Sequence, residues 1–195
     1  EKKHSRTLVN IIGIPGILAV IYFGGWLFLL FVMVVMLMCA RELGDLTAKK
    51  EVEPVIWLLS LFLIFLSLNY KFLFVDNIYL LLIFGILSLC WEIFRNKKTP
   101  LFNIAILVFG FVWIGLLIGS MIPLRIGDYG FEITISMFLS VWTCDTFAFY
   151  FGKKFGRKKI LPKISPQKTV IGCISGLLGG MLLMLIFYYS GTLPE

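Results

Sequence analysis

Ile133-Thr-Ile-Ser-Met-Phe-Leu-Ser-Val-Trp-Thr-Cys-Asp-Thr-Phe-Ala-Phe-Tyr-Phe151, Gly152-Lys-Lys-Phe-Gly-Arg-Lys-Lys-Ile-Leu-Pro-Lys-Ile-Ser-Pro-Gln-Lys-Thr169 and Val170-Ile-Gly-Cys-Ile-Ser-Gly-Leu-Leu-Gly-Gly-Met-Leu-Leu-Met-Leu-Ile-Phe-Tyr-Tyr189 follow one another without a break. An apolar run, a basic connection and a second apolar run therefore stand end to end. Each run has the length, roughly 20 residues, that carries a helix across about 30 Å of hydrocarbon. Backbone groups in lipid must be paired internally, so such runs are read as helices. A membrane barrel would show short alternating segments, which this chain lacks.

The remainder of the chain repeats the pattern. Of its 195 residues 59% are hydrophobic and only 15% charged, and the mean hydropathy is +0.96. Those values exclude a soluble domain of this length. Candidate spans run from Leu8 to Tyr22, Gly24 to Ala40, Pro54 to Phe72, Asn77 to Phe94, Asn103 to Leu124, Ile133 to Phe151 and Val170 to Tyr189. The expected fold is an all-α polytopic membrane helix bundle with about seven transmembrane helices, forming a single integral membrane domain over residues 1–195. The first span is short and contains Pro15 and Gly16 behind Lys2, Lys3 and Arg6. With no small-residue cleavage site after it, it is read as a retained helix.

Cationic residues test this arrangement independently, because they collect in cytoplasmic loops. With the amino terminus inside, every one of the 18 except Lys71 and Arg125 falls on the cytoplasmic side, and Glu195 falls outside. Most of the net charge of +7 is then explained by orientation and anionic headgroups. Nucleic acid is not an expected partner, since the cations are split among four segments and the aromatic residues lie in spans. Cys39, Cys90, Cys144 and Cys173 lack paired spacing and read as packing residues. His4 is the only histidine and stands in a charged terminus, which argues against histidine-based acid–base chemistry. Gly172, Gly176 and Gly180 recur every four residues, a spacing that lets helices approach closely.

Asp145 lies in a segment otherwise built of apolar and aromatic residues. A charge there is costly and usually has a partner. It reads either as an ion pair with a nearby cation such as Lys153 or as a ligand of a hard cation, which takes one or two carboxylates and leaves its other positions to water and phosphate. The following connection carries Lys153, Lys154, Arg157, Lys158, Lys159, Lys163 and Lys168, with Gly152 and Gly156 permitting close backbone approach and Ser165 and Thr169 supplying hydroxyls. The start of the next helix adds its dipole. By spacing alone these features imply anion binding and no more. Glu42 and Glu92 could approach the same site, but pairing with Arg41 and Arg95 is the favoured reading.

At Asp145-Thr-Phe-Ala-Phe-Tyr-Phe-Gly152 and Lys154-Phe-Gly-Arg-Lys-Lys-Ile-Leu-Pro-Lys-Ile-Ser-Pro-Gln-Lys-Thr-Val-Ile-Gly172 the sequence resembles the phosphatidate cytidylyltransferase family. Arg6-Thr7, Gly24-Gly25 and Ala40-Arg-Glu42 resemble that family's opening, while the middle spans match only in hydropathy. The resemblance implies transfer of a cytidylyl group from CTP to phosphatidate, giving CDP-diacylglycerol and pyrophosphate. Magnesium is the implied cofactor, CTP, phosphatidate and membrane lipids are the implied partners, and the bacterial inner membrane is the implied location. Asp145 would be a metal ligand and, with Lys168, catalytic. Lys153, Lys154, Arg157, Lys163, Ser165 and Thr169 would bind substrate phosphates. A homodimer is compatible with these residues without being required by them.

Two positions depart from the family pattern: Phe147 stands where it has Gly, and Ile171 where it has Glu. The family's downstream Lys-Asp, His-Gly-Gly and Asp-Arg-x-Asp signature does not occur in these 195 residues. The remaining metal ligands are thus expected beyond residue 195, and the chain is expected to be a fragment, inactive alone. The competing functions are a related CTP-using lipid or polyprenol kinase and a non-catalytic membrane protein, either a degenerate relative or a transporter component.

Overall fold

Long apolar runs bounded by glycine, proline or charge give helices, and little else. The computed structural model describes residues 2–95 and 97–193, with side chains from Ile12 onward. Lys2, Lys3, His4 and Arg6 therefore have no described side chains, and Glu195 lies outside the described residues. The helices are α1 (Lys2–Phe23), α2 (Gly25–Ala48), α3 (Ile56–Phe72), α4 (Asn77–Arg95), α5 (Pro100–Gly110), a π-helical segment (Phe111–Ile118), α6 (Met121–Ile126), α7 (Gly130–Phe155) and α8 (Val170–Tyr189). Between α7 and α8 stand two short strands, β1 (Lys159–Leu161) and β2 (Ser165–Thr169).

Five stretches are long and apolar enough to cross a membrane: Gly25–Ala48, Asn77–Arg95, Pro100–Ile126, Gly130–Phe155 and Val170–Tyr189. Two shorter apolar stretches, Ile12–Phe23 and Ile56–Phe72, occupy the first and third expected spans. The protein is an integral membrane protein built of helices. The chain divides into two compact units, Glu1–Gly127 and Asp128–Glu195.

In the first unit α2 buries Phe28, Leu29, Val32, Met36 and Ala40. Four of these fall at every fourth position, which keeps them on one face. Against that stripe stands α3, which buries Leu58, Leu59, Leu63, Leu66, Ser67, Asn69 and Tyr70. Asn69 then fixes the turn into α4: its Nδ2 donates to Val75 O at 2.7 Å and Asn77 Oδ1 at 3.0 Å, and Val75 N donates to its Oδ1 at 3.0 Å. Rings of Phe84 and Phe111 stack at 5.0 Å, and Phe62 lies 5.0 Å from Phe84.

The fifth span is not one regular helix. In an α-helix, at about 100° per residue, Gly115 and Gly119 would stand about 140° and 180° around from Gly110. The wider i→i+5 turns of the π segment bring all three toward α3. A methyl group on Gly110 would sit 2.8 Å from Leu59, on Gly115 3.0 Å from Leu63 and Leu66, and on Gly119 2.7 Å from Tyr70. Small residues matter here because lipid provides no hydrophobic drive between helices, and close packing must hold them together.

The two cations expected on the outer side are both engaged. Lys71 Nζ lies 3.7 Å from the centre of the Trp26 ring. Arg125 donates from Nε to Ile21 O at 2.9 Å and from Nη2 to Tyr22 O at 3.3 Å, tying the end of α6 to the last turn of α1. At the opposite ends of the helices, Glu92 is 3% exposed and accepts from Arg95 Nη1 at 2.7 Å and from Asn103 Nδ2 at 3.0 Å. Arg95 also reaches Glu53 O at 2.9 Å, and Glu53 N reaches Asn103 Oδ1 at 3.0 Å. The α2–α3 and α4–α5 connections are thereby one network, and Glu92 has the structural role favoured from sequence. Glu42, by contrast, forms no ion pair with Arg41 among the described residues.

Candidate functional site: a helical hairpin with a basic β-hairpin cap

The second unit is the antiparallel pair α7 and α8, joined through the two strands. The glycine spacing in α8 meets α7 as its sequence suggests. A methyl on Gly172 would sit 2.8 Å from Ala148 O, on Gly176 2.9 Å from Cys144 O, and on Gly180 3.5 Å from Ser140 O. Gly179 adds a contact the four-residue spacing does not reveal: its α-carbon faces the Phe147 ring, which a methyl would approach to 2.7 Å. The bulk of Phe147 is thus accommodated by a glycine across the interface. Ser175 Oγ completes the seam, donating to Phe147 O at 3.3 Å.

Asp145 belongs to α7, which continues past Phe151 to Phe155. The carboxylate therefore stands ten residues from the helix end, about 15 Å along the axis. Its side chain is exposed on the helix flank. Neither an ion pair nor a hydrogen bond engages it among the described residues. The ion pair with Lys153 that the sequence left open does not form: Lys153, two turns further on, instead lies 5.9 Å from the Phe149 ring centre. Beside Asp145 on the same helix, Leu139, Trp142, Thr143, Thr146 and Phe147 line an open groove of about 190 Å³. Thr143 and Thr146, hydroxyls bracketing a lone carboxylate in an apolar run, were the signal for it.

What reads from sequence as a plain loop is a β-hairpin. Lys159 pairs with Thr169 and Leu161 with Ser165 in antiparallel register, with an irregularity between the pairs. Leu161 O accepts from Ile164 N at 3.1 Å across a tight turn, with Pro162 at the second turn position that its fixed φ suits. Val170 N donates to Lys158 O at 3.0 Å, so the hairpin is rooted directly on the helix ends.

Lys153 and Lys154 stand on the last turn of α7. Arg157 and Lys163 lie in the connection, the latter at its tip, and Lys168 lies on β2. All five are exposed, and none is in an ion pair among the described residues. Ser165 is partly covered. Thr169 differs from the rest. At 4% exposure it caps α8, its Oγ1 accepting from Gly172 N at 3.2 Å and donating to Gly152 O at 3.5 Å. Gly152, Gly156 and Gly172 close around it, and a methyl on Gly156 would collide with Thr169 itself. The structure thus gathers the cations at the hairpin and leaves Asp145 deeper along α7.

A sequence profile described as the cytidylyltransferase family matches residues 4–194. The chain belongs to the cytidylyltransferase family. Among its relatives, a phosphatidate cytidylyltransferase of Chlamydia pneumoniae is 33% identical over 111 residues, half of this chain and 35% of that protein. That of Chlamydia trachomatis serovar D is 43% identical over 70 residues, 31% of this chain and 23% of that protein. A third, of Staphylococcus haemolyticus, is 28% identical over 188 residues, 94% of this chain and 71% of that protein. The first two matches span well under half the length of those relatives. Among the described residues of this family member no three His, Cys, Asp or Glu side chains gather into a metal-holding group. Asp145 offers one carboxyl group, unengaged among the described residues, which fits a cation that takes one or two carboxylates with water and phosphates.

Proposed function

We propose that this chain is the substrate-phosphate-binding part of an enzyme that transfers a cytidylyl group from CTP to phosphatidate, forming CDP-diacylglycerol and releasing pyrophosphate in the bilayer. The observation that carries the reading is the family match over nearly the whole chain, and relatives bearing the phosphatidate cytidylyltransferase name support it. In the balanced reaction a phosphatidate oxygen attacks the α-phosphorus of CTP as the bond to pyrophosphate breaks. Such transfers depend mainly on positioning and charge neutralisation.

Lys153, Lys154, Arg157, Lys163 and Lys168 would neutralise the triphosphate and the phosphatidate headgroup, with Ser165 donating to a phosphate oxygen. Lys168, on the strand that feeds α8, would face the transferring group. Thr169 would act through the backbone, by holding the start of α8 against Gly152. Asp145 would hold magnesium, which when bound would neutralise charge developing on the phosphates. The proposed orientation puts the amino terminus and the β-hairpin in the cytoplasm, across a bacterial inner membrane.

The test uses the complete protein in phosphatidate-containing vesicles with CTP labelled at the α- or the γ-phosphate. Label from the α-position in lipid, together with free pyrophosphate, is expected. Label from the γ-position in lipid would make the protein a kinase, and no lipid label with CTP bound or unbound would make it non-catalytic.

A further inference from the structure

Alongside its cations the β-hairpin carries side chains that phosphate binding does not use. Ile160 is 42%, Leu161 52% and Ile164 80% exposed, although each is a residue of a type ordinarily buried. They occupy the strand and turn furthest from the helix ends and are flanked by Lys158, Lys159 and Lys163. A two-stranded hairpin is marginal by itself in water, and this one is held at its base by Val170 N on Lys158 O. With strands of three and five residues, at about 3.3 Å per residue, it reaches only about 10–17 Å from the helix ends. Because α7 and α8 are both apolar spans, that reach keeps the tip within the headgroup region or just above it.

We propose that the hairpin is an interfacial anchor, laying Ile160, Leu161 and Ile164 into the headgroup–acyl boundary of an anionic leaflet while Lys158 and Lys159 meet lipid phosphates. Apolar side chains framed by lysine are the composition that binds such interfaces, through buried apolar area plus attraction to anionic lipid. Long lysine side chains reach outward while their stems stay in the apolar layer. The occupant follows from charge complementarity and from the spans on either side. The proposal goes beyond cytidylyl transfer and depends only on the integral-membrane placement of α7 and α8.

The test places an environment-sensitive fluorophore on Ile164→Cys, with Glu51→Cys as a loop control, in the complete protein with Cys39, Cys90, Cys144 and Cys173 replaced by Ser. The protein is reconstituted in phosphatidylcholine vesicles with or without phosphatidylglycerol. With the anionic lipid, the Ile164 label is expected to be quenched severalfold more by nitroxide-bearing lipids than by aqueous iodide, and the Glu51 label the reverse. Without it, lipid quenching at Ile164 is expected to fall. An Ile164 label open to iodide, or shielded from both quenchers by another protein segment, overturns the proposal, as does lipid quenching indifferent to phosphatidylglycerol. Because no nucleotide is present, this outcome is independent of the CTP assay.

Discussion

The sequence points to Asp145 and Thr169 alike, yet the structure places them in different surroundings. Asp145 is unengaged and exposed, so Asp145→Asn should abolish CTP-dependent lipid labelling by the complete protein while leaving its thermal transition in place. Near-normal turnover would remove the carboxylate from the site. Thr169 is a buried helix cap, and caps of this type contribute about 1 kcal/mol. Thr169→Ala should therefore lower the stability of the α7–α8 pair by about that amount, measured by thermal unfolding in detergent, with Thr169→Ser recovering most of it. If Thr169 were a direct phosphate ligand, KM for CTP would rise with stability unchanged. The identity of these residues was legible in the sequence because an acid in an apolar run and a hydroxyl before a helix are both conspicuous. Their difference in surroundings was not, since it depends on Gly152 and Gly172 closing around the Thr169 side chain. Glu53 offers a pH test away from the spans. Its hydrogen bond and ion pair with Lys97, at 2.6 Å, hold its carboxyl below the ordinary value of 4.5, with Arg95 adding to the effect. Stability from this exposed pair is present above that ordinary value and is lost as pH falls through the lower, folded one. A titration of Glu53 by carbon NMR should show the lowered midpoint, and Lys97→Met should restore it.

The helices themselves were readable from apolar run length, and their ends agree with the expected spans to within a turn or two, except that α2 runs on from Ala40 to Ala48. The π segment was not readable. Nothing in Phe111–Ile118 departs from an ordinary apolar helix, and the need for wide turns arises only when three glycines must meet the ridge of Leu59, Leu63, Leu66 and Tyr70. Gly119→Ala should thus cost about 1–3 kcal/mol through overpacking against Tyr70. Gly85→Ala, at a position with open space in α4, should be neutral or gain about 0.4–1 kcal/mol. Both are measured by unfolding in mixed micelles, and equal effects would deny the glycine row its packing role. The β-hairpin was missed for another reason. Lysine and proline are poor strand formers, and it is the turn at Pro162 and the anchoring bond from Val170 to Lys158 that pair the strands.

At the scale of the molecule, the distribution of Lys and Arg gave an orientation that the engaged state of the two exceptions makes easier to understand. Lys71 rests on an aromatic ring and Arg125 on backbone carbonyls, so neither is a free charge competing with the basic segments expected in the cytoplasm. Cysteine at Lys163 should react with an impermeant maleimide only from the cytoplasmic face of sealed vesicles, and cysteine at Asp76 only from the other. The reverse pattern would invert the proposed topology. The Arg125 contact also bears on how the chain is made. Its partners precede it by 104 and 103 residues, so a growing polypeptide inserts α1 long before the side chain that fastens it has been synthesised. The first helix packs on α2 but lacks the Arg125 contact until the sixth emerges. Nascent chains halted before Arg125 should expose the α1–α2 corner to protease, and chains released after it should not.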